Sequence, residues 1–334
     1  MPALPDPVGG VSFRYRRGES DYPDLVRAYN AARLADGVSG IDTLEDFTNQ
    51  YRHLTNCDLD RDLVLLETAD GAVVGYARAT WWIEEATRDR VLLGILFLHP
   101  DVRGRGVAEV MLTWLEARLA EMAVEHPHAG KNFFAAFIDD GEAERAAVLT
   151  AFGYERTETY AEMTRSLADP IPELPLPEGV TVRPTTWTDA RAVWEADNRA
   201  FRDHVGYSKQ TAADYEGWRA TLTNDPSLWK VAFSGDVIVG QVLNYVNQAE
   251  NATLDRKWGY TESISVQREW RQRGVAKALI AESMRMFREM GMEHAALGVH
   301  TTNPNGAFPL YEGLGYRVTT LGYQWRKPLA PGAP

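Results

Sequence analysis

One short basic, glycine-containing turn occurs twice in this chain. Residues 102–108 read VRGRGVA and residues 270–276 read WRQRGVA. Each turn follows an apolar run typical of a buried strand and opens a long amphipathic segment typical of a helix. Helix N-terminal amides, the helix dipole and arginine side chains all favour phosphate, and glycine admits a ligand where a Cβ would collide. The repeat therefore predicts a duplicated chain with one phosphate-binding turn in each copy.

The length and a proline-rich segment predict where the two copies meet. A chain of 334 residues suggests two domains, each large enough to bury its own core. Residues 169–179 contain four prolines, which disfavour both helix and central strand and predict an extended linker. We therefore expect an N-terminal domain over 1–168 and a C-terminal domain over 180–334.

The order of predicted elements is the same in both halves. Hairpin patterns occupy residues 63–77 and 229–242, each with a turn that contains Asp and Gly. Late strands follow at 133–138 and 294–299, and each half then closes with a short helix and an FGY or LGY phrase. Strand, helix, hairpin, strand, helix, strand, helix, strand predicts one mixed α/β sheet in each half.

Composition excludes several classes of protein. The net charge of −12 argues against general nucleic-acid binding; it suits a cationic substrate, although an acidic surface also serves solubility. The single cysteine, Cys57, can form no internal disulfide, so we expect a reducing cytoplasm. The first ten residues show no signal-peptide pattern, and the longest aliphatic stretch, 91–98, is too short to span a bilayer. No His, Cys or carboxylate spacing predicts a metal site.

The turns resemble the acetyl-coenzyme A loop of the GNAT acyltransferase family. The C-terminal half adds a second signature of that family, NPNGAF at 303–308 followed by LYEGLGY at 310–316. The resemblance covers residues 11–165 and 180–327. It implies two tandem GNAT-like domains, each a mixed sheet that splays between its fourth and fifth strands and holds acetyl-coenzyme A in the gap.

The resemblance also implies which residues hold the cofactor. Backbone groups of Ser265 and Val266 would run along the pantetheine, and Asn303 would hydrogen-bond it from the other wall. The amides that would cradle the pyrophosphate belong to Arg271, Gln272, Arg273, Gly274, Val275 and Ala276. The N-terminal counterparts are Leu98, Arg103, Gly104, Arg105, Gly106, Val107 and Ala108.

Two residues of the C-terminal half are candidates for proton transfer. Tyr311 matches the position where the family commonly uses a phenol as general acid on the leaving thiolate. Glu262 lies four residues before Val266, on the same face of the strand at period two, and is a candidate general base. The structural alternatives are a half-buried helix aromatic for Tyr311 and an ion pair with a neighbouring arginine for Glu262.

Comparison of the two copies predicts which half is catalytic. Alignment of the basic turns places Gly94 opposite Glu262, and alignment of FGY with LGY places Leu149 opposite Tyr311. The N-terminal half thus keeps the turn but lacks both proton-transfer groups. We therefore expect catalysis in the C-terminal half, while the N-terminal half either binds coenzyme A without turnover or serves as a scaffold.

The acceptor is the least specified part of the prediction. Asp203 and His204 lie in a region that often lines the acceptor pocket in the family, although an Asp-His pair can also be a turn or cap. We expect an acetyl-coenzyme A-dependent N-acetyltransferase that acts on a primary amine of a small molecule without a metal. A protein or peptide N-acetyltransferase and a non-catalytic coenzyme A-binding regulatory or scaffold protein remain alternatives.

Overall fold

The computed structural model describes residues 2–204, 206–302 and 306–330. The chain forms two compact units. Unit 1 contains the residues up to Thr159 together with those from Gly322 onward, and unit 2 contains Tyr160–Leu321. The units differ from the predicted domains 1–168 and 180–334 because two long strands each begin in one unit and end in the other.

Unit 1 contains the elements of the first copy. Its helices are α1 (Tyr22–Ala35), α2 (Leu44–Arg52), α3 (Leu59–Asp62), α4 (Val107–Glu125) and α5 (Ala143–Ala151). Its strands are β1 (Val11–Tyr15), β2 (Leu63–Thr68), β3 (Val73–Ile83), β4 (Arg90–Leu98), β5 (Asn132–Asp139) and the start of β6 (Glu155–Ser166). The predicted hairpin is present as the antiparallel pair β2–β3.

Unit 2 repeats this order. Its helices are α6 (Ala190–Phe201), α7 (Ala212–Arg219), α8 (Gln248–Thr253), α9 (Val275–Glu289) and α10 (Ala307–Gly313). Its strands are β7 (Thr181–Val182), β8 (Lys230–Ser234), β9 (Val237–Tyr245), β10 (Trp258–Val266), β11 (His294–His300) and the start of β12 (Arg317–Pro328). The second predicted hairpin is the pair β8–β9.

Both units contain a mixed sheet with an opening next to the basic turn. In unit 1, β4 and β5 pair in parallel only as far as Leu93 and Ala135, although both strands continue. In unit 2, β10 and β11 pair in parallel only over Trp258–Tyr260, so that the following residues of each strand face a gap. The expected splay between fourth and fifth strands is therefore present in each copy.

The last strand of each copy completes the sheet of the other copy. The part of β12 from Gly322 to Pro328 pairs antiparallel with β5, so the C-terminal residues complete unit 1. The part of β6 from Tyr160 to Ser166 pairs antiparallel with β11 and so completes unit 2. This exchange places the boundaries of the units within strands instead of within the proline-rich segment.

The cores lie where the sheets meet the helices that follow the basic turns. In unit 1, Met111 and Leu115 of α4 pack with Leu92 of β4, and all three side chains are fully buried. In unit 2, Leu279 and Phe287 of α9 are fully buried in the equivalent cluster. Because these helices are fixed on the sheets, their N-termini and the turns before them have defined positions.

Within the described ranges, no helix is both long and apolar enough to cross a bilayer.

Candidate active site

The basic turn of unit 2 presents an open helix N-terminus. Gly274 is the N-terminal cap of α9 with φ of +89°, a conformation that favours glycine, and a Cβ built there would meet no atom within 4 Å. Gln272 also has a positive φ of 60°. Gln272, Arg273 and Gly274 are exposed, whereas Val275 is buried and anchors the first turn of the helix. The turn therefore offers backbone amides and the positive end of a helix dipole to an anion.

The side chain of Arg271 holds this turn in place and does not project from it. Its guanidinium donates to the carbonyl oxygens of Val266 (3.2 Å) and Ala200 (2.9 Å) and to Asp203 (3.2 Å). Arg268 donates to both oxygens of Asp203 at 2.7 Å. The pKa of Asp203 lies below its usual value, mainly because Arg268 donates hydrogen bonds to the carboxylate. The positive charges of Arg268 and Arg271 lower this pKa further. Asp203, predicted as an acceptor contact, thus pairs with two arginines at the basic turn.

Unit 1 contains the same clamp. Arg103 donates to the carbonyl of Leu98 (3.1 Å) and to that of Ala32 (3.4 Å), and it forms two hydrogen bonds with Asp36 at 2.6 and 2.9 Å. In both arginines Nε donates to the strand carbonyl, one terminal nitrogen donates to the helix carbonyl and the other donates to an aspartate. The first arginine of each turn is therefore a structural residue that ties the turn to the preceding strand and to the first helix of its unit.

The turn of unit 1 is closed by groups of unit 1 itself. The backbone amide of Gly104 donates to Oε1 of Glu144, at the start of α5, at 2.6 Å. A Cβ on Gly9 would lie 2.7 Å from the Cβ of Arg105, so the N-terminal segment passes directly over the turn. Gly106 caps α4 with φ of +78° and has Val8 3.7 Å from the position of a Cβ. Val107 and Ala108 are buried. A carboxylate and a covering segment thus occupy this turn, whereas among the described residues of unit 2 no atom lies within 4 Å of a Cβ built on Gly274.

A β-bulge lies in β10 beside the gap. Glu262 pairs with Leu243 and Ser265 pairs with Gln241, so β10 has one residue more than β9 over this interval. Ser263, inside the bulge, has a positive φ of 45°. The extra residue reverses the alternation of faces, which puts Glu262 on the face of Ser265. The expectation that Glu262 and Val266 share a face at period two was therefore wrong.

The carboxyl of Glu262 reaches across the gap between β10 and β11. Its Oε1 accepts a hydrogen bond of 3.0 Å from the backbone amide of Gly298 on β11. Burial raises the pKa of Glu262 to about 7; the hydrogen bond from Gly298 acts in the opposite direction and the charge of Glu162 adds to the rise. A carboxyl with this pKa is divided between its two protonation states near neutral pH, which suits proton transfer.

Tyr311 lies close enough to Glu262 for the charge of the carboxylate to affect the pKa of the phenol. Its side chain is 6% exposed, on α10, and its ring centroid is 6.1 Å from that of Tyr316. Burial raises the pKa of the Tyr311 phenol above its usual value, and the charge of Glu262 adds to this effect. Among the described residues, no group forms a hydrogen bond with the Tyr311 hydroxyl. The raised pKa keeps the phenol protonated near neutral pH.

The structural counterparts of these two residues in unit 1 are apolar. The amide of Tyr154 donates to the carbonyl of Leu149 as that of Tyr316 donates to Tyr311, so Leu149 is the counterpart of Tyr311, as predicted. The predicted counterpart of Glu262 is corrected by one residue. Strand β4 pairs with β3 without a bulge and places Ile95, instead of Gly94, at the position equivalent to Glu262.

Two further predicted residues are His204 and Asn303, and only His204 belongs to the described part of the chain. The ring centroid of His204 is 5.3 Å from that of Phe201 and 6.1 Å from that of His300 at the end of β11. Asn303 lies outside the described residues.

No cluster of His, Cys, Asp or Glu able to hold a metal ion occurs within the described ranges.

Sequence reasoning did not find Asp197 on α6. Its carboxyl accepts from Nε2 of Gln241 at 3.1 Å and lies beside Ser265. Burial raises the pKa of Asp197 to about 7, although Ser265 and Gln241 partly offset the rise. A single aspartate in an amphipathic helix gives no signal by itself. What distinguishes the site is that the first copy has no carboxylate or amide at the equivalent positions, which are Tyr29, Tyr76 and Phe97.

Comparison of the sequence with models of known protein families shows to which family this chain belongs. The pattern of the GNAT acetyltransferase family matches residues 31–135 and 190–316, one match in each copy. This chain belongs to the GNAT acetyltransferase family. It is an N-acetyltransferase of the GNAT type, and acetyl-coenzyme A is the acetyl donor in that family.

Several relatives match this chain over nearly their whole length. The mycothiol acetyltransferase of Geodermatophilus obscurus is 31% identical over 91% of this chain and 93% of its own, and that of Salinispora arenicola is 27% identical over 90% and 92%. A GCN5-related N-acetyltransferase from Sphaerobacter thermophilus superimposes with a TM-score of 0.70 at 26% identity, covering 99% and 98% of the two chains. A tandem GNAT protein of the clavulanic acid pathway shares the fold, with a TM-score of 0.67 at 15% identity over 97% and 100%.

Proposed function

We propose that unit 2 transfers the acetyl group of acetyl-coenzyme A to a primary amine of a small molecule. One observation carries this proposal. The Glu262 carboxyl reaches across the gap and acts electrostatically on the Tyr311 phenol, next to the exposed basic turn, whereas unit 1 has Ile95 and Leu149 at these positions and a closed turn. Groups for both proton transfers of an acetyl transfer thus accompany the turn that is free to bind the donor.

The residues around the gap fit acetyl-coenzyme A. The exposed turn from Gln272 to Gly274 would take the pyrophosphate, since its amides and the dipole of α9 favour an anion and Gly274 leaves room for it. The edge of β10 past the bulge, at Ser265 and Val266, would run along the pantetheine. Asn303 stays part of this proposal on the resemblance alone.

The proposed chemistry is direct transfer. An amine reaches the site mostly as an ammonium ion and must lose a proton before it can attack the thioester carbonyl. Glu262, with a pKa of about 7, accepts that proton directly or through a water molecule. Attack forms the C–N bond, and as the tetrahedral intermediate collapses the C–S bond breaks and Tyr311 donates its proton to the thiolate. The second proton of the nitrogen returns to the tyrosinate, and the proton held by Glu262 leaves to solvent. No covalent enzyme intermediate is required.

A small cationic acceptor agrees with the charge of the chain and with its relatives. Glu162 and Glu262 place two carboxyl groups near the gap, and the net charge is −12. Relatives that cover more than nine-tenths of this chain are named mycothiol acetyltransferases, so mycothiol-related amines are the first acceptors to examine. His204, near the end of β11, remains a candidate contact for the acceptor. Peptides with a free N-terminus form the competing class.

The test is amine-dependent release of coenzyme A, followed by mass spectrometry of the acetylated product. The acceptor panel contains cysteinyl and amino-sugar amines, free amino acids and peptides. We expect turnover with a small amine, and a loss of about 100-fold or more in kcat for Tyr311→Phe with acetyl-coenzyme A affinity preserved. Leu149→Phe is the matched control in unit 1 and should leave kcat unchanged. Turnover of peptides alone, or wild-type activity in Tyr311→Phe, would contradict the proposal.

A further inference from the structure

A polar cluster, of which Gln241 and Ser265 are buried and Asp197 is half-buried, connects the first helix of unit 2 to the strand pair next to the bulge. The side-chain amide of Gln241, on β9, donates to Asp197 (3.1 Å) and to the carbonyl of Val193 (3.2 Å), both on α6. Gln241 is 1% exposed and Ser265, its partner across the sheet, is 6% exposed. The Ser265 side chain also interacts with the Asp197 carboxyl. One aspartate thus engages both strands at the first residue pair after the bulge.

The equivalent positions of unit 1 are aromatic. Ala32 and Ala200 accept from equivalent arginines, which aligns Tyr29 with Asp197. The strand registers align the remaining two pairs: Tyr76 with Gln241, and Phe97 with Ser265. The ring centroid of Phe97 lies 4.7 Å from that of Tyr29 and 5.5 Å from that of Tyr76.

This contrast shows that the fold does not require the polar cluster. Aromatic rings bury apolar area at these positions in unit 1, whereas the half-buried carboxyl of Asp197 and the buried amide of Gln241 bear a desolvation cost that their hydrogen bonds offset in part. The polar set occurs in the unit that has the bulge, and the aromatic set in the unit whose β4 runs without one. The cluster therefore accompanies the bulge.

We propose that Asp197 is a positioning residue that fixes the register of β9 and β10 immediately after the bulge and so directs Glu262 into the gap. Its role rests on the proposed function, because Glu262 matters for activity only if unit 2 is the catalytic unit.

Geometry gives Asp197 this role. A slip of one residue in β10 would turn Glu262 to the opposite face of the sheet. The bulge itself contains a residue with positive φ, Ser263, which is unfavourable for a non-glycine residue and must be held by its surroundings. Gln241 binds α6 at two points, and its neighbour Gly240 lies against Val275 of α9, which a Cβ would approach to 2.8 Å. Helices on both faces thus hold β9, and Asp197 extends this restraint to Ser265 on β10.

The test compares Asp197→Leu with Asp197→Asn in the full-length protein. Leucine removes one of the two acceptors of the Gln241 amide, whereas asparagine keeps an oxygen in its place. Glu195→Leu, at an exposed position of α6, is the matched control. Three quantities are measured for each variant: acetyl-coenzyme A affinity, kcat and KM for the acceptor, and amide hydrogen exchange of the β10 segment 261–266.

We expect Asp197→Leu to lower kcat by about 10-fold or more, because a misplaced base acts poorly, with acetyl-coenzyme A affinity within about twofold of wild type. Exchange in 261–266 should rise while that of 271–276 stays unchanged. Asp197→Asn should restore kcat to within about threefold of wild type.

Unchanged exchange in 261–266 of Asp197→Leu would overturn the proposal, and so would unchanged kcat. An equal loss of kcat and acetyl-coenzyme A affinity would also overturn it, since a general loss of structure would then explain the effect. If wild type turned over no amine, the proposed function would fail by itself, and the exchange comparison would still decide whether Asp197 holds the bulge.

Discussion

The carboxylate of Glu144 accepts a 2.6 Å hydrogen bond from the backbone amide of Gly104, in the turn of unit 1 that would otherwise offer this amide to a phosphate. The bond brings a negative charge of the protein itself to a helix N-terminus that favours anions. It distinguishes the two copies more directly than their sequences do, because both turns carry the same basic and glycine pattern.

We expect Glu144→Ala to create a second acetyl-coenzyme A site. Wild type should bind one molecule per chain, in unit 2, because Glu144 and the segment around Gly9 occupy the turn of unit 1. Removal of the carboxylate frees the Gly104 amide, and calorimetric titration should then show a second, weaker binding event. Glu155→Ala, at an exposed position, is the control. Two sites in wild type would show that Glu144 does not exclude the ligand.

Substitution of the capping glycines should separate the two turns. We expect Gly274→Glu to abolish acetyl-coenzyme A binding, since it introduces a negative charge at the phosphate position and a side chain at φ of +89°. Gly106→Glu carries the same change in unit 1 and should leave wild-type affinity intact. Both substitutions bear a backbone strain of about 1 kcal/mol, which thermal unfolding would register in each. Full affinity in Gly274→Glu would disprove the assignment of the turn.

Activity should rise with pH through about 7. Glu262 must be ionised to accept a proton, and burial raises its pKa to about 7, so kcat should fall as the pH drops below that value. In Glu262→Gln this dependence should disappear and kcat should be lower by about 100-fold. The measurement is kcat between about pH 5.5 and about pH 9, an interval that brackets this pKa. A limb that persists unchanged in Glu262→Gln would assign it to another group, and Asp197 would be the first to examine.

The raised pKa of Glu262 also predicts a stability difference of defined sign. Between its usual pKa near 4.5 and its folded value of about 7, the folded state binds more protons than the unfolded state, so stability falls as the pH rises. Glu262→Gln has no such group, and its free energy of unfolding relative to wild type should increase across this window. Glu293→Gln, in an exposed ion pair, is the control. A relative stability that decreases with pH would contradict the direction of the shift.

Most of the fold could be predicted from the chain because repetition and periodicity are local signals. The turns, the hairpins and helix α9 lie where their patterns placed them. The β-bulge could not be predicted, since an extra residue in one strand leaves the apolar pattern readable in either register. Two expectations failed for that single reason: that Glu262 shares a face with Val266, and that Gly94 is its counterpart.

Residues of the candidate site could be predicted where their role follows from the type of residue. They were harder to predict where the role depends on contacts with residues distant in the sequence. Tyr311 and Glu262 stand out because the first copy lacks both. The anchoring role of Arg271 and the pairing of Asp203 depend on contacts with residues more than 60 positions away or on carbonyl groups, which no motif encodes. Asp197 likewise becomes visible only through Gln241 and Ser265.

The exchanged strands predict how fragments behave. A fragment of residues 160–321 contains every strand of the unit 2 sheet, including the part of β6 that pairs with β11. A fragment of residues 180–334 lacks that partner and carries Gly322–Pro328 without β5. We expect the first fragment to unfold cooperatively and the second to aggregate through unpaired strand edges. Circular dichroism and size-exclusion chromatography compare the two, and a well-folded 180–334 fragment would contradict the topology.

The same exchange makes the two copies depend on each other. A deletion at the proline-rich segment would leave each half without the strand that completes its sheet, so neither half can be discarded in one step. If the second copy carries the catalysis, as we propose, the first copy would still be needed for its closing strand, and a duplicated gene would then keep both halves even where only one does chemistry.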